Sequence, residues 1–444
     1  MTIMKIGHKP ARRSRRLALG AAVAASALLV AACGGGSGDD GGSNDPGLTE
    51  DSIKIGGHFP LTGVAAPGYS EIPVGHKAYY DYVNANGGID GREIEFIAKD
   101  DGYNPAKTSE VVNELVLQDE VFAVVSGLGT PTHQAVTDFL NSEGVPDLFV
   151  SSGSTLWDQP EDLPETFGWQ PDYESEGKII GKYIAENMPD AKVGIFGQDD
   201  ELGEDGARGL RQFIDGQVVA EEKYVSGNTD IGTQIGKLQA AGADVVVGFN
   251  VPSYTALSQL TAMALNYKPT WFYSNVGSDA TLVGSLLEEF SEGAVKGTSP
   301  LTGVYTTSYI PTNTDTEDPW IQMFQKVWDE TGDGSPLTNY KIYGMSEAYT
   351  FVQAAMAAGD DLSRESIVSV IEEEGADFEG PNLVPYRYSE DRHAGIGGMK
   401  VVQLTDDGSV EDKTPLYQTD VGDAPVEEYT GEPSTPPESG IPGE

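Results

Sequence analysis

The chain predicts an α/β protein of two lobes, each a parallel sheet covered by helices on both faces, and three observations carry that prediction. Short apolar strands alternate with amphipathic helices from Ser52 to Ser274, the pattern of parallel strands joined by crossover helices. About 370 residues separate two polar, glycine-rich ends, too many for one ordinary core. The Gly168-Trp169-Gln170-Pro171 segment reads as a crossover, and after Pro319 the character turns helical until a last strand at Gly397–Leu404. Lobe 1 is therefore expected at 51–168 and 300–385, lobe 2 at 169–299 and 386–420, with three crossovers forming the hinge.

The elements follow in order. Lys5, Lys9, Arg12, Arg13, Arg15 and Arg16 precede an apolar run from Leu17 to Ala32, which reads as a secretory signal over residues 1–32. Val30-Ala31-Ala32-Cys33 resembles the lipobox of bacterial lipoproteins, and Cys33 is the chain's sole cysteine. The expectation is cleavage before Cys33, a lipid on its sulfur, and a protein anchored on the outer face of the cell membrane. A lone cysteine leaves no disulfide, and no other apolar run is long enough to cross a bilayer. Residues 33–50 read as the lipidated cysteine and a flexible tether, residues 421–444 as a disordered acidic tail.

Between these ends, strands are expected at Ser52–His58, Ile94–Ala98, Val121–Val125 and Pro146–Val150, within a set of six by about Val150. Helices are expected at Tyr69–Asn84, at Pro105–Gln118 with proline in its first turn, and at Pro131–Asn141. The second lobe repeats the alternation with strands at Lys192–Phe196, Val218–Val225, Asp244–Phe249 and Thr270–Ser274.

Val121–Ser154 is the working centre. Strand, helix and strand in about 30 residues make a βαβ unit, so the turns Ser126–Thr130 and Ser151–Thr155 leave the sheet at one edge, where open α/β sheets hold ligands. The first turn feeds a helix N-terminus, which favours an anion. A small carboxylate is the expected guest, held by Thr130, Ser152 and Ser154 with the N–H groups of Gly129 and Gly153. Tyr69, Trp157, Leu202, Asn250, Tyr254 and Asn275 fall on strand ends or adjoining turns that could line the rest.

Composition and motifs exclude other classes. Without the six basic residues of the signal, 21 basic residues face 70 acids, a net charge of −49, which argues against nucleic acid and anionic lipid as partners. Gly127-Leu128-Gly129 begins a dinucleotide fingerprint, but Thr132 stands where the third glycine belongs. Ser151-Ser152-Gly153-Ser154 lacks the nucleophile elbow, and no histidine sits in a recognisable base position, so an enzyme is not expected. Asp100-Asp101-Gly102 and Asp199-Asp200-Glu201 lack calcium-loop spacing and read as strand-end loops or helix caps. No metal and no cofactor is expected.

The combination of Ile53-Lys54-Ile55-Gly56, Pro60-Leu61-Thr62-Gly63, Asn84 to Arg92 (NANGGIDGR), Asp100 to Pro105 (DDGYNP) and Ala241 to Val247 (AGADVVV) resembles the extracytoplasmic solute-binding proteins of branched-chain amino acid ABC transporters, the leucine/isoleucine/valine-binding family. The resemblance spans roughly Leu48 to Leu404. It implies a type I periplasmic-binding fold, two α/β lobes on a three-strand hinge closing on a small solute, with an ABC permease and its ATPase as partners. It also implies that Thr130 and the Ser152–Ser154 turn take the ligand carboxylate, with an acid of the second lobe near Ser274–Gly277 for an amine. None of those four residues is acidic, and Asp279 belongs to the next helix. Two ligand classes stay open, branched-chain amino acids and aromatic or other organic acids. A sensory receptor of the same fold is the alternative to transport.

Overall fold

The computed structural model describes residues 45–443. The expected signal, the lipid site at Cys33 and most of the tether lie outside the described residues.

The first sheet contains β1 (Ser52–Phe59), β2 (Glu93–Asp100), β3 (Ala123–Val125), β4 (Asp147–Val150) and β5 (Thr166–Gly168), in the order β2-β1-β3-β4-β5 and parallel throughout. Four strands, not six, precede Ser151. Short α1 (Ala66–Tyr69) leads into α2 (Ile72–Ala85), followed by α3 (Pro105–Leu117) and α4 (Thr130–Ser142). Asn104 caps α3 by accepting from the Ala106 and Lys107 N–H groups, ahead of a proline in the first turn, so the start of this helix is written in three residues.

The second sheet takes β6 (Val193–Gln198), β7 (Val218–Tyr224), β8 (Val245–Phe249), β9 (Thr270–Tyr273) and β10 (Tyr305–Ser308), with helices α5 (Tyr173–Asn187), α6 (Glu201–Ile214), α7 (Gly232–Ala240), α8 (Pro252–Ala264) and α9 (Ala280–Phe290). The chain then returns to the first lobe for α10 (Pro319–Thr331), α11 (Asn339–Ala358), which packs on α2, and α12 (Arg364–Glu374). It ends in the second sheet with β11 (Gly398–Leu404), β12 (Val410–Asp412), β13 (Tyr417–Gln418) and β14 (Glu427–Glu428). These last strands pair antiparallel, so the second sheet is mixed rather than wholly parallel.

Two boundaries differ from expectation. Residues 305–308 form β10, paired to β9 and β11, so the return to lobe 1 begins after Ser308 and not at residue 300. Its Tyr-Thr-Thr-Ser sequence is too polar to be read as an inner strand. The expected disordered tail is instead docked: Lys178 donates to the Asp420, Gly422 and Ala424 carbonyls at 2.5–2.9 Å. Further on, Tyr82 and Tyr79 donate to the Ser439 and Gly440 carbonyls, and Ile441 is 2 % exposed in the first lobe's core. Composition counted the tail's prolines and acids but not the buried donors that hold its backbone. The end of the tether is docked as well, with Gly47 O accepting from Lys54 N and Asp45 accepting from Arg364 N.

Three crossovers bind one another in a hinge. Gly168 N donates to His393 O, Ile396 N to Trp169 O, and Leu383 N to Tyr309 O, at 2.9–3.0 Å.

Candidate functional site

The two turns expected to meet do so. Ser151 N donates to Gly127 O and Gly129 N to Ser151 O, which sets the β3–α4 and β4 turns side by side. Gly129 has φ 100°, and a Cβ there would strike Tyr103 and Thr132, so only glycine fits. At Ser151 the chain bends sharply, Ser152 N donating back to Val150 O, and Phe149 just upstream has φ 60°.

A cavity of about 170 Å³ lies between the lobes. Its first-lobe wall includes Tyr69, Ile72, Tyr103, Leu128, Gly129 and Ser151. Gln170, Tyr173, Tyr309 and Tyr343 line the hinge side, and Leu202, Val251, Asn275, Val276, Thr306 and Thr307 the second lobe. The lining continues past Ile310 and Pro311 to Leu404 and Val410.

Of the residues expected from sequence, Gly129, Tyr69, Leu202 and Asn275 stand on this wall. The others do not. Thr130 and Ser152 are buried, their hydroxyls 2.8 Å apart and bonded to each other, with the Tyr173 hydroxyl 3.5 Å from Ser152 Oγ. The bend after Ser151 turns Ser152, Gly153 and Ser154 to a separate void of about 20 Å³ shared with Trp157. Trp157 packs edge-on against His133 at 5.1 Å. Asn250 is wholly buried and both its amide atoms lack a partner. Tyr254 stacks on Tyr224 at 3.8 Å and donates to Val225 O, which turns its ring away from the cleft.

The cleft is closed. Tyr69 Oη donates to Val276 O at 2.9 Å, Ser253 Oγ to Val64 O at 2.7 Å, Gln198 Nε2 to Tyr103 Oη at 3.3 Å, and Asn339 Nδ2 to Asp279 Oδ2 at 2.6 Å, all from one lobe to the other.

The electrostatics of the wall are unusual for a site that holds a charged solute. No lysine, arginine or histidine is among the lining residues, and the one acid there, Asp279, is already engaged: Oδ1 caps α9 at Leu282 N while Oδ2 accepts from Asn339. Burial pushes the hydroxyls of Tyr69, Tyr103, Tyr309 and Tyr343 well above their ordinary range, so they stay neutral.

Sequence reasoning missed Glu176 of α5. It lies beneath the segment expected to carry an amine-binding acid and is wholly buried. Its carboxylate accepts from Ser274 Oγ, Asn275 N, Asn275 Nδ2 and Thr307 Oγ1 at 2.5–2.8 Å. Burial raises its carboxyl above the usual range against the pull of those donors. Glu176 is thus saturated by protein groups and holds Asn275 and Thr307 in place.

Gln170 was also missed as an individual residue. It is 4 % exposed, its Oε1 accepts from Tyr343 Oη at 2.9 Å, and its Nε2 has no partner although the residue lines the cavity. Gln170 also borders the small void beside Ser152, and a buried N–H left unpaired costs roughly 1–3 kcal/mol. Near the cross-lobe contact, Asp200 caps α6 and accepts from Gln198, and burial pushes its carboxyl up to about 6.

Comparison with known proteins agrees with this architecture. Residues 52–409 match the family described as periplasmic binding protein. The Leu/Ile/Val-binding protein homolog 2 of Brucella abortus (strain 2308) is 26 % identical over 360 residues, covering 77 % of this chain and 90 % of the relative. A fatty acid ABC transporter substrate-binding protein from Thermomonospora curvata superposes with a TM-score of 0.75 at 21 % identity, covering 89 % of this chain and all of that one. A branched chain amino acid ABC transporter protein from Thermus thermophilus with bound valine gives 0.71 at 17 % identity, covering 84 % and 98 %. With its two lobes, hydrogen-bonded hinge and interlobe cavity, the chain belongs to the periplasmic binding protein family, extracytoplasmic proteins that bind solutes.

Proposed function

We propose that this chain captures a carboxylic acid with an apolar body, carrying no amine, and delivers it to an ABC permease. The observation behind the choice is a cavity with no free carboxylate, its one acid, Asp279, being already engaged. An ammonium group brought into that cavity finds no free carboxylate, a cost of several kcal/mol. A carboxylate finds the Gln170 donor and the N-terminal end of α4 at Gly129, while an apolar body finds Ile72, Leu128, Leu202, Val251 and Leu404. The Thermomonospora curvata neighbour, a fatty acid ABC transporter substrate-binding protein, supports the same reading, as does a lining that runs on to Val410. Thr130, Ser152 and Ser154 then act behind the site rather than on the ligand.

Anchoring through a lipid on Cys33 to the outer face of the cell membrane belongs to this proposal, as does partnership with permease and ATPase subunits. Isothermal calorimetry on the protein with octanoate, benzoate and leucine tests the ligand class. Binding of an acid and not of leucine is expected; tight leucine binding without acid binding refutes it.

A further inference from the structure

The four histidines among the described residues are all wholly buried, and two of them touch. His58 Nδ1 lies 2.8 Å from Asp101 Oδ2, His58 Nε2 lies 3.0 Å from His133 Nδ1, and His133 Nε2 lies 2.8 Å from Asp147 Oδ2. The four groups come from the end of β1, the loop after β2, the first turn of α4 and the start of β4. Every link has an atom able to accept at both ends, so each needs one proton of its own.

We infer that Asp101, His58, His133 and Asp147 form one proton-counted chain, closed only when it holds three protons, that positions the first-lobe wall of the cavity. In one arrangement the Asp101 carboxyl donates to His58 Nδ1, His58 Nε2–H donates to His133 Nδ1, and His133 Nε2–H donates to the Asp147 carboxylate. The reverse arrangement starts at the Asp147 carboxyl and ends at the Asp101 carboxylate. A third places all three protons on the rings, with both carboxylates ionised. Each has three protons and one net negative charge, so the proton belongs to the chain rather than to a residue. With two protons, a pair of lone pairs faces across one link; with four, two donors do.

Burial holds His58 below the ordinary imidazole range despite its bond to Asp101. Asp101 of the β2 loop and Asp147 of β4 are the charged groups facing the rings. The other packed elements offer neutral groups: Thr108 of α3 donates to Asp101, Thr166 of β5 donates to Asp147, and the Trp157 ring lies against His133.

The chain reaches the cavity through three bonds. Leu128 N donates to His58 O, His133 N to Gly129 O, and Tyr103 N to Asp101 Oδ1, and Leu128, Gly129 and Tyr103 all stand on the wall. It also accounts for Gly127, whose Cβ would lie 2.3 Å from His133 Nδ1 and 2.7 Å from His58 Nε2. The first glycine of the Gly127-Leu128-Gly129 motif makes room for two imidazoles, not for a phosphate.

Single amide substitutions at the ends test this directly. In Asp101→Asn one amide N–H replaces the carboxyl proton towards His58 and the other faces Thr108, so both rings become Nε2–H tautomers. Asp147→Asn reverses the direction, and both become Nδ1–H tautomers. Nitrogen-15 NMR of labelled histidine reads the tautomers and is expected to show these opposite patterns. In the double variant both ends donate, the inner nitrogens both carry hydrogen, and two donors collide at the central link. Its melting temperature is expected below the sum of the two single shifts, with faster amide exchange at Leu128 and Tyr103. Parent protein is expected to lose stability at alkaline pH as the third proton leaves, and Asp101→Asn to lose that dependence. The same tautomers in both single variants, or additive melting shifts, overturn the inference; if the double variant fails to fold, the tautomers of the singles decide alone.

Discussion

Gln170→Glu is the sharpest test of the ligand reading. The substitution keeps the length of the side chain and the oxygen that accepts from Tyr343, while Nε2, the unpaired donor, becomes an oxygen. A hydrogen bond to a charged group contributes roughly 1.5–3 kcal/mol, so losing it weakens octanoate or benzoate binding by about 10- to 150-fold. At neutral pH, repulsion between two carboxylates in a cavity without a cation adds to the loss. At acidic pH the introduced carboxyl group is protonated and donates again, so the deficit narrows as pH falls. Calorimetry across pH, with melting curves to confirm folding, measures this. An acid affinity unchanged at neutral pH refutes the role of Gln170 while leaving the solute-binding function standing.

Other consequences follow from groups already placed. Tyr69→Phe removes one bond between the lobes, worth about 1 kcal/mol, and is expected to speed ligand release in stopped-flow experiments by about fivefold. Lys178→Met takes a buried donor from three carbonyls of the tail; urea unfolding is expected to show a loss of roughly 2–4 kcal/mol, with faster proteolysis after Asp420. Asp200 has its carboxyl raised to about 6 in the closed protein, against an ordinary value near ~3.9. The closed form therefore binds this proton more tightly, so its contribution is full below about pH 4 and lost as pH rises through about 6, at most roughly 2–3 kcal/mol. Asp200→Asn is expected to flatten that part of the pH profile of thermal stability, and an unchanged profile counts against it.

Much of the fold was legible because it is written in local patterns. Asn104 and Pro105, or the apolar run at Val245–Phe249, announce their elements without any tertiary information. Less local features were not. Tyr305–Ser308 is polar yet sits inside a sheet, because its neighbours β9 and β11 supply the pairing that its own sequence does not advertise. At the site, the meeting of the two turns could be read from the βαβ order, but not which residue faces the cleft. The bend at Ser151 turns Ser152 away and leaves Ser151 on the wall, a one-residue difference that no residue type there signals. Glu176 lies 98 residues before the Ser274 hydroxyl it receives, so proximity in sequence gave no hint of it. The histidines looked isolated for the same reason: the His58–His133 contact spans 75 positions.

The docked C-terminal segment has a mechanical consequence. It is fastened to the second lobe through Lys178 and the β13–β14 pairing, and to the first through Trp320, Tyr82, Tyr79 and Ile441. Any gaping of the jaws must therefore draw on the slack between Tyr429 and Ser434, or peel one fastening away. The segment is laid across both lobes like a check-strap on a door.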